Sequence, residues 1–261
     1  MRSGSPTRVA LTRPAVPTSP SDEPEGSADS AVPDSRNSRL QTLLRDLGSE
    51  LQQGLGADED PSAACSTGLP ELDRLLGGGL PRGRLCEWVG PSSSGRTSLA
   101  LSLLATTTRQ GHCAGWIDCA DAFDPLSADA AGVALERVLW VRPPSLSEAL
   151  RCVERLLETE GFPLVVLDLA TTRASSERDP HAWRRLARLA AGTHCALVLL
   201  GSERRTGSIA HLAIELKPAR ARWSEGLVLL EHLELEVVLV RHRAAPAGRS
   251  VRVAAPGSRA A

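Results

Sequence analysis

The stretch Gly90-Pro91-Ser92-Ser93-Ser94-Gly95-Arg96-Thr97-Ser98 constrains this chain more than any other. It lies between an apolar run, Leu85–Val89, that reads as a strand and a helical pattern over Thr97–Arg109. Gly90 and Gly95 let the backbone wrap round an anion, and the loop amides and the following helix N-terminus point at it. A phosphate loop needs this strand–loop–helix context. Thr97 stands where a hydroxyl would hold Mg²⁺, with Ser98 beside it. Arg96 occupies the position of the motif's lysine. A lysine delivers a compact charge to a transferred phosphate, whereas a guanidinium is a wide planar fork. The loop therefore admits two readings: a vestigial turn, or a site with residual ATP and Mg²⁺ binding but no turnover. In neither is a cofactor required.

The surrounding pattern predicts an α/β fold. Strands are expected at Leu85–Val89, Cys113–Asp118, Val138–Val141, Leu164–Leu169 and Cys195–Leu200, and helices at Thr97–Arg109, Ser145–Glu160 and His181–Ala191. The continuous apolar run ending in Asp168 is typical of a buried parallel strand. Such alternation implies a mostly parallel central sheet with helices on both faces. Ile209–Leu216, Leu227–Leu233 and Leu235–Arg241 read as strands without intervening helices, extending the sheet as antiparallel hairpins.

The ends differ in composition. Residues 1–37 are rich in Ser, Pro, Asp and Glu with few bulky hydrophobics, and are expected to be disordered. Over 38–61, Leu40, Leu43, Leu44, Leu47 and Leu51 share one face of a short amphipathic helix capped by Asn37 or Ser38, and a Gly54/Gly56 linker follows. The core domain is assigned to 62–243, and 244–261 to a flexible tail. Arg241, Arg243, Arg249 and Arg252 cluster near that tail, with no acid after Glu236. They suit weak, salt-sensitive DNA contact or an acidic protein surface. Arg184, Arg185 and Arg188 beside Trp183 read first as a solvated face. With a net charge of -1, no global positive field recruits nucleic acid. The six cysteines form no CxxC pair and read as buried reduced thiols. No run reaches the ~18 apolar residues of a membrane span, and no apolar stretch follows the N-terminal charges as in a secretory signal. A cytoplasmic protein is expected.

Four landmarks in register resemble the RecA ATPase core. They are Ser66–Arg84, the Gly90–Ser98 loop, Trp116-Ile117-Asp118-Cys119-Ala120-Asp121-Ala122-Phe123-Asp124-Pro125, and Val165-Val166-Leu167-Asp168. By that resemblance, Ala120 stands where the family has its water-activating glutamate, and without a carboxylate no side chain deprotonates the attacking water. Ser127 replaces an adenine-stacking aromatic, Asp124 matches an adenine-contacting position, and Asp168 the aspartate that supports Mg²⁺ through water. Ser202 replaces a γ-phosphate-sensing glutamine, and the long DNA-clasping loop that follows it in the family is shortened. The earlier loop over Thr171–Pro180 keeps Arg173 and Arg178 among acids.

Within the superfamily the chain most resembles the ImuA family of bacterial SOS mutagenesis cassettes. That resemblance implies a non-catalytic adaptor in translesion DNA synthesis. Its partners would be RecA, an ImuB-like inactive Y-family polymerase and, indirectly, an error-prone replicative-type DNA polymerase. An active DNA-dependent ATPase and a SulA-type cell-division inhibitor remain as alternatives. The leucine helix either docks on RecA, as a similarly placed RecA helix docks on its neighbour, or packs on its own core. If it docks, Leu43→Glu with Leu47→Glu will weaken RecA binding while leaving the melting temperature unchanged. Titration of RecA alongside a thermal melt of each variant separates docking from self-packing, which would lower both.

Overall fold

The computed structural model describes residues 64–119, 121–169, 180–223, 230–243 and 246–256. The leucine helix and its linker lie outside these residues.

Six parallel strands build the body of the sheet. β3 (Leu85–Val89), β4 (Ala114–Asp118), β6 (Leu164–Asp168) and β7 (Ala196–Gly201) are buried at every position, as continuous apolar runs require when both faces are covered. With β5 (Val138–Val141) and β8 (Leu212–Leu216) they run in the spatial order β8-β3-β7-β6-β4-β5, every pairing parallel. β10 (Leu230–His242) then joins β8 antiparallel, and β11 (Ser250–Pro256) and the short β9 (Arg220–Trp223) pair with β10. A separate two-stranded ribbon joins β1 (Ala64–Cys65) to β2 (Leu80–Pro81).

Helices cover both faces. α1 (Pro70–Leu76) and α2 (Arg96–Arg109) pack with Trp88, Trp116 and Ile214 on one face. α4 (Leu146–Glu158) and α5 (Pro180–Ala191) pack with Ile117, Leu167 and Leu199 on the other. The short α3 (Pro125–Ala130) follows β4. The expected α/β architecture is thus the observed one. Ser145 caps α4 by accepting from the Glu148 amide at 3.3 Å, an N-cap of the ordinary kind.

Three expectations are corrected. Ile209–Leu216, expected to add to the sheet antiparallel, supplies β8, which joins β3 in parallel and is antiparallel only to β10. The segment after residue 243 is not wholly a loose tail. Val253 and Ala255 alternate inward on β11 with 3% and 0% exposure, Val251 packs against the same core, and Arg252 faces out. Apolar residues at every second position bury one face of a strand despite the neighbouring Gly and Pro. The two strands expected over Leu227–Leu233 and Leu235–Arg241 are, within the described residues, one 13-residue strand, Leu230–His242. It is irregular at Leu239/Arg241, where its register with β8 shifts. The helices at Pro70–Leu76 and Pro125–Ala130 were not expected, because both are too short for a periodic pattern to emerge.

Because β11 completes the core, Val253→Asp will destabilise the protein by about 3 kcal/mol through a buried unpaired charge. The melting temperature will fall by roughly 6–12 °C. A thermal melt checks this; a loose tail would leave it unmoved.

Candidate functional site

The phosphate-loop sequence hangs from the C-terminal end of β3. Gly95 adopts the left-handed conformation at φ 79° as the N-cap of α2, and Ser93 does so at φ 60°. A Cβ on Gly95 would collide with the Leu235 side chain, and one on Gly90 would meet the Leu216 carbonyl oxygen at 2.8 Å. These glycines therefore serve two purposes: they turn the loop and they let β8 and β10 approach it. The Ala219 amide donates to the Ser93 carbonyl at 3.1 Å, which ties the segment after β8 to the loop.

Arg96 turns its fork inward. Its guanidinium donates to the Gly90 carbonyl, and to that of Pro91 at 2.8 Å. Its Nε is buried without a partner among the described residues, as is the Ser94 hydroxyl. Thr97 and Ser98 are partly exposed in the first turn of α2. The backbone cradle of an anion site is therefore present. The cation that should face a nucleotide's outer phosphates is instead bonded to the loop's own carbonyls.

Two buried carboxylates lie side by side on the same edge of the sheet. Asp118 and Asp168 are register partners on β4 and β6, each 1% exposed. Asp118 accepts from the amides of Ala122 at 3.0 Å and Phe123 at 2.9 Å, and from the Trp140 indole at 3.3 Å. It thereby fixes the turn that follows β4. Asp121, in that turn at φ 50°, pairs with Arg142 at 3.3 Å, and both side chains are exposed. The ion pair holds Asp121 at the surface beside Arg142. Ala120 itself lies outside the described residues.

Asp124 follows the turn that Asp118 fixes. It caps α3, accepting from the amides of Leu126 at 3.3 Å and Ser127 at 3.0 Å and from the Ser127 hydroxyl. The Ser127 hydroxyl, and then its amide, hold the Asp124 carboxyl below the usual carboxylate range. Among the expected nucleotide-site residues, Gly90 and Gly95 lie on the loop and Arg96, Thr97 and Ser98 in the first turn of α2. Asp168 joins them on the same sheet edge.

The structure also reveals a residue that sequence reading passed over. Glu87 is the middle residue of β3 and is fully buried. Its carboxylate accepts from the Arg205 amide at 2.6 Å, the Thr206 amide at 3.0 Å and the Thr206 hydroxyl at 2.6 Å. The Arg204 guanidinium approaches to 3.4 Å. The loop after β7, which begins with exposed Ser202, is thus clamped to the central strand. The available signal was the acid inside Leu-Cys-Glu-Trp-Val, because a buried carboxylate survives only with several donors around it.

The predicted basic residues do not form one arm. Arg241 donates to the Ala210 carbonyl at 2.8 Å and Arg249 to that of Leu75 at 2.8 Å. Arg252 lies 3.7 Å from Glu236, and Arg243 is exposed. They are held on or beside β10 and β11 rather than carried on a mobile tail. Trp183 is buried and belongs to the core, not to a surface patch. Arg185 pairs with Glu154 on α4, while Arg184 and Arg188 face elsewhere. Leu40, Leu43, Leu44, Leu47, Leu51, Arg173 and Arg178 lie outside the described residues.

None of the six cysteines forms a disulfide among the described residues, and four of the six are buried. Burial raises the thiol pKa of Cys86 and Cys195, and that of Cys119 to about 12, so these are not reactive thiolates at neutral pH. No group of His, Cys, Asp and Glu among the described residues is arranged to hold a metal ion.

Comparison with known proteins agrees with this architecture. The profile of the RecA N-terminal domain matches residues 37–179. Protein RecA of Synechococcus sp. (strain CC9605) is 33% identical over 198 residues, covering 73% of this chain and 51% of its own length. Protein RecA of Synechocystis sp. is 37% identical over 133 residues, 51% of this chain and 38% of that protein. Protein RecA of Rubrobacter xylanophilus is 44% identical over 107 residues, 41% and 31% respectively. The chain spans about half or less of the length of these curated relatives. The crystal structure of the RadB recombinase superposes with a TM-score of 0.56 at 23% identity, covering 72% of this chain and 94% of that one. That likeness establishes the fold.

Removing the Glu87 carboxylate would orphan the amides of Arg205 and Thr206. Glu87→Ala will cost about 2–4 kcal/mol. It will also speed hydrogen exchange at those two amides more than at the amides of β7. Chemical denaturation together with residue-resolved exchange tests it; unchanged exchange in a folded variant would mean the loop is held by other contacts.

Proposed function

The chain belongs to the RecA N-terminal domain family, and we propose that it is a non-catalytic adaptor of the ImuA type, acting in SOS-induced mutagenesis and translesion DNA synthesis. In this reading it binds RecA and an inactive Y-family-like polymerase, and through them serves an error-prone replicative-type polymerase. The observation that carries the proposal is the state of Arg96. A guanidinium bonded to the carbonyls of Gly90 and Pro91 stabilises the loop internally and withdraws the motif's cation from a phosphate. Ala120 adds to it, because its side chain has no group to orient water. Asp121, committed to Arg142, does not replace it. A fold whose hydrolytic parts are changed while its core is intact keeps its surfaces as the means of action.

A second reading is an active DNA-dependent ATPase. The left-handed Gly95, the partly exposed first turn with Thr97 and Ser98, and Asp168 on the same sheet edge favour it. The two readings differ in a single assay. We expect phosphate release by the protein, with or without single-stranded DNA, to match that of an Arg96→Ala control. A pull-down with purified RecA should retain RecA equally with and without nucleotide. Multiple turnovers above the control would establish the ATPase. RecA failing to bind under either condition would remove the adaptor.

A further inference from the structure

At the end of the sheet opposite the phosphate loop, a cleft of about 440 Å³ is lined by Arg84, Arg184, Arg188, Arg243 and His211 over an apolar floor that includes Leu85 and Ile209. Its position follows from topology. Arg84 immediately precedes β3 and His211 precedes β8, so both stand at the N-terminal ends of parallel strands. β10 runs the other way, so Arg243, which follows it, arrives at the same edge. Arg184 and Arg188 are four residues apart on α5 and so present to one side of the helix.

The charge in this cleft is not neutralised. No Asp or Glu lines it. Among the described residues none of Arg84, Arg184, Arg188 and Arg243 forms an ion pair, and all four are exposed. Arg185 supplies the contrast, since its guanidinium is taken by Glu154 on α4. The main chain holds the rim in place: the Arg243 amide donates to the His211 carbonyl at 3.2 Å, and Arg241 bonds the Ala210 carbonyl beside it. The positive field is also visible in its effect on His211. Burial first, then Arg84, His242, Arg243 and Arg241, push its pKa down to about 4. At neutral pH the cleft therefore offers four permanent cations and one uncharged imidazole.

We propose that this cleft binds the phosphodiester backbone of a single nucleic-acid strand. Guanidinium forks pair with phosphate oxygens in bidentate fashion, and all four cations here are arginines rather than lysines. The volume exceeds that of one phosphate and leaves the apolar floor for a sugar or base face. Guanidinium forks pair with carboxylates as well, so the apolar floor, which a sugar or base face can cover and an acidic peptide's carboxylates cannot, is what favours a nucleic-acid strand. The site is separate from the nucleotide-loop edge, and this inference does not depend on the adaptor reading, which a RecA pull-down tests.

The experiment is fluorescence anisotropy of a labelled oligothymidylate of about 20 nucleotides, spanning one or more single-strand sites, titrated with the full chain at several salt concentrations. Arg184→Glu with Arg188→Glu should weaken binding at least tenfold, on the order of the loss expected for two phosphate contacts. The slope of log K against log salt should fall by about 1.4, from ~0.7 for each lost phosphate contact. The charge-matched pair Arg74→Glu with Arg155→Glu, distant in sequence and already ion-paired, should bind as the parent does. Arg184→Gln with Arg188→Gln, milder and with the fold checked by circular dichroism, should show the same direction. Equal losses in the cleft and control pairs would reduce the effect to net charge and overturn the proposal. So would an unaffected cleft variant, displacement of the strand by tripolyphosphate at equal phosphate concentration, or a polyglutamate peptide that binds where the oligonucleotide does not.

Discussion

β3 is hydrogen-bonded on both sides, to β7 and to β8, and all five of its residues are buried. The rest of the molecule is arranged from this strand. The phosphate-loop sequence leaves one end of it, Arg84 precedes the other, and Glu87 in its middle holds the loop after β7. A strand fixed by two parallel ladders cannot slide without reversing which side chains meet each face. That rigidity transmits position to both sheet edges, about 17 Å apart for five residues at ~3.3 Å each. It also makes a buried carboxylate tolerable at its centre, because the donors that satisfy Glu87 are held on a neighbouring strand's exit.

The phosphate loop is held in shape by its own packing and hydrogen bonds. Gly95 turns the chain and gives Leu235 room, so the loop is packed as well as shaped. An arginine at position 96 is long enough to reach back to the carbonyls of Gly90 and Pro91, and it satisfies them without any ligand. Hydrogen bonds from a charged donor are among the stronger ones. An anion entering the loop must compete with them for the same guanidinium. The backbone geometry of the family persists because it is part of the core.

Much of this was legible in the residues. Leu164–Leu169, a run of apolar residues closed by an aspartate, has one reasonable reading in an α/β chain, and the structure places it as a buried parallel strand. The loop between strand and helix was equally plain. The tail was misread because Gly and Pro near residues 246–248 outweighed the alternation Val251, Val253, Ala255, which is short and becomes a strand only when β10 lies beside it. The arginines near the tail were legible as a charge excess, but not as residues held on separate strands with separate partners.

The sequence alone determined the order of the core parallel strands and of the three longer helices between them, the phosphate-loop context, and the residues at positions 96 and 120. These rest on local periodicity and on the identity of single residues. Only the tertiary structure decided where Arg96 points, what satisfies Glu87, and which arginines meet. Those depend on residues far apart in the chain meeting in space, as Glu87 bonds Thr206 and as Arg84 and Arg243 line one cleft. A parallel sheet brings such residues together through crossovers whose register no local pattern encodes.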